Sequence, residues 1–270
     1  MTQKINLLLF PLITTTSLIG IPTFGFLVGF TSLDWMLLVA LYCATGLGIT
    51  VGYHRLFTHH SFQAHRFVQY LLLILGGWAL QNTAIKWASD HYLHHKFTDR
   101  EADPYNAQRG FWYSHCGWLF TSKQTPEGAR LQVRLRQEVP LAWQEKHYLL
   151  IVLSGLLIPL VIGFFQGGWL PAIGCLLLAG FGRIFLVMNS TFFINSVCHL
   201  WGPQPHTLTD SSRDNWWVSL ITFGEGYHNY HHAHPSDYRN GHLWFNVDPS
   251  KWVIWTLMKL RLAAPRGGRS

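Results

Sequence analysis

Four long apolar segments are the feature that most constrains how this chain can fold. Residues 5–30 carry no charged side chain and are long enough to cross a bilayer as a helix. Further apolar segments cover residues 35–51, 148–165 and 170–188, and the short turns 31–34 and 166–169 join the four in pairs. Charged residues make up only 12% of the chain, which is low for a soluble domain. The sequence therefore predicts an all-α, multi-pass membrane protein with four transmembrane helices.

The distribution of Lys and Arg predicts the orientation of these helices. The two short turns contain neither residue, whereas residues 52–147 contain eleven and residues 189–270 contain seven. Basic residues favour the cytoplasmic side, so we expect both termini in the cytoplasm. Residues 52–147 and 189–262 then form a cytoplasmic helical cap, and we expect 263–270 to be a disordered tail. The net charge of +7 suits an anionic membrane surface or an acidic soluble partner, and it does not indicate nucleic-acid binding.

Eight histidines fall into three clusters, and neutral imidazole is a good ligand for iron, zinc and copper. The clusters are His54 and His59, then His91, His94 and His95, then His228, His231 and His232. Residues three and four apart share one face of a helix, so each of the last two clusters can aim at a single point. His54 and His59 are five apart and can do so only where a helix ends or distorts. The clusters predict a polynuclear metal site at the membrane surface.

The sequence around these clusters resembles the membrane-bound acyl desaturases of the stearoyl-CoA type. The matching strings are LGITVGYHRL at 47–56, WASDHYLHHKF at 87–97, ADPYN at 102–106, RGFWYSHCGW at 109–118, NSVCHLWG at 195–202 and GEGYHNYHH at 224–232. Their order and spacing agree with the family from about Trp35 to Trp244. The resemblance implies a single domain over 1–270 with a di-iron site in its cytoplasmic cap.

The resemblance also implies the ligands of each iron. One iron would be held by His54, His59, His91, His95 and His231, and the other by His94, His199, His228 and His232. His199 is the ninth ligand, and Asn195, one turn before it, would reach the second iron through a water molecule. Ligating histidines usually donate their second N–H to a carboxylate or carbonyl. Of the acidic residues beside the clusters, which are Asp90, Asp99, Asp103 and Glu225, we favour Asp90 and Glu225 for this role.

The implied reaction is an O2-dependent desaturation that introduces a cis double bond at carbon 9 of a saturated acyl chain. An unactivated methylene has no acidic proton, so a cofactor must supply the oxidant. The implied cofactors are two Fe²⁺ ions, with O2 as co-substrate and two electrons from an external carrier. Hydroxylation or ketolation of an alkyl chain or carotenoid on the same scaffold stays open as an alternative. A histidine-rich metal transporter fits less well, because transporters place polar ligands within their spans and these spans are nearly free of ionisable residues apart from Arg183.

A bent apolar tunnel would select the carbon that reacts by fixing the acyl chain beside the metals. Its expected walls are Cys43, Ala44 and Leu47 on the second span, together with Trp78, Trp87, Trp118 and Phe193 near the metals. Small residues in a span can equally be helix-packing surfaces.

Two departures from the animal acyl-CoA enzymes leave the acyl carrier open. Ser89 stands where those enzymes have Arg before the Asp of their WxxDH string, and only Lys123 matches their later Arg-Lys pair. The substrate is therefore either a CoA thioester or a membrane glycerolipid. The compact chain resembles bacterial and cyanobacterial enzymes that take electrons from ferredoxin, which implies a bacterial inner or thylakoid membrane.

Overall fold

The computed structural model describes residues 3–121 and 123–266, and most of them belong to helices. The helices are α1 (Gln3–Thr15), α2 (Ile21–Leu27), α3 (Ser32–Leu47), α4 (Arg66–Gly77), α5 (Ala84–Phe97), α6 (Trp118–Thr121), α7 (Pro126–Leu135), α8 (Val139–Gly167), α9 (Trp169–Cys175), α10 (Arg183–Leu200), α11 (Trp216–Ile221), α12 (His228–Ala233) and α13 (Pro249–Lys259). The π-helical segments Thr16–Gly20, Gly48–Thr58, Tyr113–Gly117 and Leu176–Gly182 and a short 3-10 turn at Ala107–Arg109 complete the helical part.

Four continuous helical stretches are long and apolar enough to cross a membrane, as the sequence predicts. They cover Ile5–Leu27, Ser32–Thr58, Val139–Gly167 and Trp169–Leu200. The second and fourth stretches continue well beyond the predicted ends at residues 51 and 188. Because of this extension, His54 and His199 lie on the cap ends of the helices that cross the membrane. The all-α class with four candidate membrane spans is confirmed.

The short turns between paired spans have sequence-encoded geometry. Thr31 caps α3, because its backbone N–H donates to the Asp34 carboxylate at 2.6 Å and its Oγ1 accepts from the Asp34 N–H. Gly168 joins α8 to α9 with φ +83°, a conformation that favours glycine. The turn at Gly168 accompanies the close packing of α8 against α9.

Helices α4 and α5 form a hairpin that returns towards the second span. A Cβ on Gly48 would lie 2.3 Å from the backbone nitrogen of Gly76, so only glycine permits this approach. The contact sets α4 against the π-helical segment Gly48–Thr58, and α5 packs beside the same segment. The two elements that carry the first two histidine clusters are therefore neighbours.

The carboxy-terminal tail corrects one expectation. Strand β1 (Phe62–Ala64) pairs antiparallel with strand β2 (Ala263–Pro265), with Phe62 opposite Pro265. The prediction of disorder is wrong for this part of the tail, because its backbone pairs with β1 beside the buried Phe62 ring. Residues 267–270 lie outside the described residues.

Candidate metal centre and adjoining cavities

His54 and His59, which are five residues apart, lie at a π-helical segment. The segment Gly48–Thr58 is π-helical, and the His59 N–H donates to the His54 carbonyl at 3.1 Å. This i→i+5 pattern brings residues five apart onto one face, which an α-helix cannot do. The distortion expected from the spacing is therefore present.

The other histidines come from three helices. Helix α5 supplies His91, His94 and His95, α12 supplies the His228 cluster, and the last turn of α10 supplies His199. Nine imidazoles thereby meet in the cap as two groups, within each of which the possible ligand atoms lie within 4.8 Å of one another. The first group is His54, His59, His91, His95 and His231, and the second is His94, His199, His228 and His232. This division matches the one implied by the resemblance.

The nitrogen spacing fits metal ions. In the first group the Nε2 atoms of His54 and His231, and those of His91 and His59, are 3.0 Å apart. In the second group His199 and His228 show the same spacing. Two nitrogens that each lie about 2.1 Å from one ion, at right angles, are about 3.0 Å apart. The buried His94 Nε2 has no hydrogen-bond partner among the described residues, as expected of a ligand atom.

Four of the imidazoles are held in the neutral form that binds metal. Burial, followed by the neighbouring imidazoles, lowers the pKa of His91, His95, His228 and His231 well below its usual range. A site that keeps these rings uncharged at neutral pH offers lone pairs to a cation.

Carboxylates lie behind several rings, on the side away from the group centres. The Nδ1 atoms of His54, His94 and His232 lie 2.8 Å, 2.9 Å and 3.2 Å from carboxylate oxygens of Glu225, Asp103 and Asp210, respectively. His199 Nδ1 lies 2.9 Å from the hydroxyl oxygen of Ser211. The backbone N–H of Ser211 in turn donates to Asp99. These contacts hold a proton on Nδ1 and leave Nε2 to face the centre.

A buried ion-pair network supports the first group. Arg55 donates to Glu225 at 3.1 Å and to Asp248 at 3.1 Å, and all three side chains are buried. Burial opposes ionisation of Glu225, but its contacts with His54 and Arg55 hold its pKa below the usual value. Asp248 also caps α13 by accepting from the Lys251 N–H. The network therefore ties the His54 ring to the carboxy-terminal helix.

Two cavities meet beside the histidines. The outer cavity, of about 390 Å³, is lined by residues that include Asn6, Lys86, Tyr105, Trp118, Lys123 and Phe192. The inner cavity is lined by residues that include Tyr42, Gly46, Ile49, Val187, Ile221 and Phe223. Both contain Trp87, His91, Thr191 and Asn195, so these four side chains mark the junction.

A polar brace stands at this junction. The Gln81 amide donates to Thr191 Oγ1 at 2.8 Å and accepts from the Trp87 indole N–H at 3.3 Å. Most of the remaining lining of the inner cavity is apolar. An elongated apolar ligand that filled both cavities would pass the histidines at this point.

Comparison with known proteins identifies the family. The model of the fatty acid desaturase family matches residues 33–258. The chain belongs to the fatty acid desaturase family. The recognition made from the sequence strings is confirmed.

Curated relatives of this desaturase chain include enzymes named for two acyl carriers. It is 40% identical over 228 residues to acyl-CoA desaturase 1 of Saccharomyces cerevisiae, and the aligned region covers 83% of this chain and 44% of the relative. It is 38% identical over 235 residues to sn-2 palmitoyl-lipid 9-desaturase of Nostoc sp., and the aligned region covers 84% of this chain and 79% of the relative. It is 37% identical over 227 residues to sn-1 stearoyl-lipid 9-desaturase of Synechocystis sp., and the aligned region covers 83% of this chain and 68% of the relative. The chain spans less than half the length of the yeast relative.

Of the two carboxylates favoured from sequence, only Glu225 contacts a histidine of the centre. Asp90 forms an ion pair with Lys86 on the same helix instead. The expectation for Asp90 is wrong, because its place one turn beyond Lys86 favours that pair. Asp210 and Ser211 were missed, since they lie in a loop with no spacing relation to any cluster.

The two cavities contain some of the residues expected as tunnel walls. Trp87 and Trp118 line the cavities, but Cys43, Ala44, Leu47, Trp78 and Phe193 do not. The second span faces the inner cavity with Tyr42, Gly46, Ile49 and Thr50, which lie on a different side of the helix from the predicted residues. Trp78 packs against Gly155 and donates to Ser154, and Phe193 packs towards Trp217.

Proposed function

We propose that this chain is an O2-dependent acyl Δ9-desaturase. The observation that carries the proposal is the meeting of two cavities beside two histidine groups whose nitrogen spacing fits metal ions. A saturated chain that lies through both cavities would present one pair of methylenes to the centre. Loss of two hydrogens from that pair, with two external electrons and two protons, reduces O2 to two water molecules.

The donor set fits two iron ions held by the nine histidines, with Asn195 at the junction placed to hold a water molecule beside the second. When bound, the two irons supply the oxidising power that an unactivated methylene requires. The protein's own part is to hold and orient. Glu225, Asp103 and Asp210 keep the Nδ1 proton of their histidines and so aim Nε2 at the ions.

The brace at the junction would help to determine which carbons of the acyl chain lie beside the histidines. Gln81 bonds both Thr191 and Trp87, so the side chains that border the reacting methylenes are fixed relative to each other. A reacting carbon held within a small distance of the oxidant gains much of its rate from positioning alone. The depth of the inner cavity then sets which carbon stands at the junction.

For the acyl carrier we propose a membrane glycerolipid. Ser89 is buried and donates to the Gly128 carbonyl, so this position offers no cation to the phosphates of CoA. Lys86 at the outer cavity is neutralised by Asp90, which leaves Lys123 as the unpaired cation of its described lining. The relatives include enzymes named for each carrier, so the proposal rests on these contacts. We further propose ferredoxin as electron donor, both termini in the cytoplasm, and a bacterial inner or thylakoid membrane.

Expression in a desaturase-deficient host tests the function directly. Lipid analysis resolved by class and double-bond position should give a cis double bond at carbon 9 in glycerolipid chains. His228→Ala should abolish this product, while His147→Ala, outside both histidine groups, should retain it. A product that carries an inserted oxygen in place of the double bond would instead favour hydroxylation or ketolation, and absence of any altered lipid would contradict the proposal.

A further inference from the structure

Helix α1 closes the outer cavity on its membrane side. Asn6, Leu9, Phe10 and Ile13 line the cavity and, three and four residues apart, form one face of the helix. The opposite face points outward, where Leu8 is 74% exposed, and in a membrane span this face meets lipid. A single helix therefore separates the cavity from the acyl chains of the bilayer.

Weak contacts join α1 to α6, and we name this junction the α1–α6 seam. The Asn6 amide donates to the Leu119 carbonyl at 3.0 Å. The Phe10 ring meets the Phe120 ring edge-on, with centroids 5.8 Å apart. A neutral hydrogen bond and an aromatic pair are modest interactions, and the apolar cluster that contains Leu9, Phe10, Trp118 and Leu119 would keep apolar contacts with an entering acyl chain.

The helix contains the features at which helices bend. Pro11 lies inside α1 and lacks the N–H that a helical hydrogen bond needs, and the π-helical turn Thr16–Gly20 follows it. Beyond this point the span is anchored, since the turn Thr16–Gly20 packs against the π-helical segment Leu176–Gly182 and Ser17 donates to the Phe181 carbonyl at 3.4 Å. The part of α1 before Pro11 carries Asn6 and Phe10, the residues that contact α6. This part can therefore bend away from α6 while the span beyond Pro11 stays in place.

Polar groups stand at one end of the seam. Lys123 and Gln124 lie just beyond α6 and are exposed, and the Lys86–Asp90 ion pair also borders the outer cavity. Cationic and polar side chains gather at the headgroup level of a bilayer. We call these side chains the polar rim of the outer cavity. A lipid whose headgroup lay at the polar rim would have its acyl chains alongside α1.

We propose that the α1–α6 seam is a side entrance through which an acyl chain, still esterified to a membrane glycerolipid, passes from the bilayer into the outer cavity. This inference rests on the desaturase function proposed above and specifies the route of its substrate. A sideways passage keeps every methylene in apolar surroundings, whereas passage through water would expose each of them. A soluble acyl thioester would approach from the polar rim and would not need the seam to open.

A reversible lock on the seam tests this route. Asn6→Cys and Leu119→Cys, in a background with Cys43 and Cys116 replaced by Ala, place a thiol on each side of the seam. The protein is reconstituted with iron in phosphatidylglycerol nanodiscs and oxidised with diamide. We expect oxidation to lower desaturation of the phosphatidylglycerol chains at least tenfold, and dithiothreitol to restore the rate of the same sample.

A matched lock controls for cross-linking as such. Ser17→Cys and Phe181→Cys join the turn Thr16–Gly20 to the segment Leu176–Gly182, away from the seam, and their oxidation should leave the rate within twofold. Mass spectrometry measures the extent of each cross-link. A fully locked seam that still desaturates phosphatidylglycerol at the unlocked rate would overturn the proposal, as would equal inhibition by both locks.

A second readout needs no turnover. Phosphatidylglycerol that carries a diazirine on its acyl chain should label the peptide that contains Trp118 and the peptide that contains Phe192 in the reduced protein, and not in the locked one. Labelling that depends on the lock, in a protein that forms no double bond, would retain the side entrance and reject the desaturase. Labelling that is unaffected by the lock would reject the side entrance.

Discussion

The Nδ1 atom of His94 lies 2.9 Å from Oδ1 of Asp103, and both side chains are buried. The carboxylate is itself fixed by the backbone, since it accepts from the N–H groups of Tyr105 and Asp99. Asp103 therefore holds the His94 ring in one orientation, with Nε2 directed at the second histidine group.

Replacement of Asp103 by Asn should weaken metal binding. An amide can donate as well as accept, so the His94 proton is no longer held on Nδ1 and Nε2 is no longer reserved for metal. Loss of such a partner typically costs about 10–100-fold in metal affinity. Iron retained after dialysis against a graded series of chelator concentrations measures the change. Asp90→Asn is the matched control, because Asp90 pairs with Lys86, and an equal loss in both variants would contradict this role for Asp103.

The two histidine groups should bind metal separately. We expect active protein to contain about two irons per chain, and His59→Ala and His199→Ala each to reduce the content in one group. Zinc competes well for imidazole sites, so a zinc-loaded sample should be inactive until the metal is exchanged. Metal analysis together with activity measures both effects. Active protein with fewer than two irons would count against the assignment.

Removal of the Arg55 side-chain charge should destabilise the cap. Arg55→Met leaves Glu225 and Asp248 buried without their cation, and breaking a buried ion pair from one side typically costs about 3–5 kcal/mol. A lowered thermal unfolding temperature in detergent measures this effect. Arg100→Met, at an exposed position, should unfold like the unmodified protein, and an Arg55→Met protein of undiminished stability would show that the network contributes nothing.

Features with a periodic or compositional signal could be predicted from the sequence. Four spans follow from uncharged length, but the division of the nine histidines into two groups was implied by the family resemblance, since spacing alone aims each helical cluster at one point. The side of the second span that lines the cavity could not be predicted in this way. The expected walls Cys43, Ala44 and Leu47 presuppose a regular α-helix up to His54, but Gly48–Thr58 is π-helical, and the residues that line the inner cavity from this span include Tyr42 and Gly46.

Contacts between distant loops left no signal of this kind. Asp210 reaches His232 across 22 positions and Ser211 reaches His199 across 12, and neither follows a motif around a cluster. The ordering of Ala263–Pro265 likewise depends on a pairing with β1, some two hundred residues earlier in the chain. Local sequence carries no record of such partners.

The orientation in the membrane stays a prediction with a direct test. Because both short turns lack Lys and Arg, reporter fusions after Asp34 and after Gly168 should be external. Fusions after Gln108 and after Ser270 should be internal. An external carboxy terminus would contradict the orientation inferred from basic residues.

Chain-length preference should respond to the floor of the inner cavity. Tyr42 closes this end, where its hydroxyl lies 2.8 Å from Ser190 Oγ and donates to the Ile221 carbonyl at 2.6 Å. Tyr42→Ala should therefore admit longer acyl chains, and Ile49→Trp should fill the cavity and favour shorter ones. Cys43→Trp is the matched control, because Cys43 does not line the cavity and should leave the preference unchanged. Product analysis with a mixture of acyl lengths, normalised to iron content, measures all three, and a shift towards shorter chains in Cys43→Trp alone would mean that the acyl chain lies on the other side of the second span.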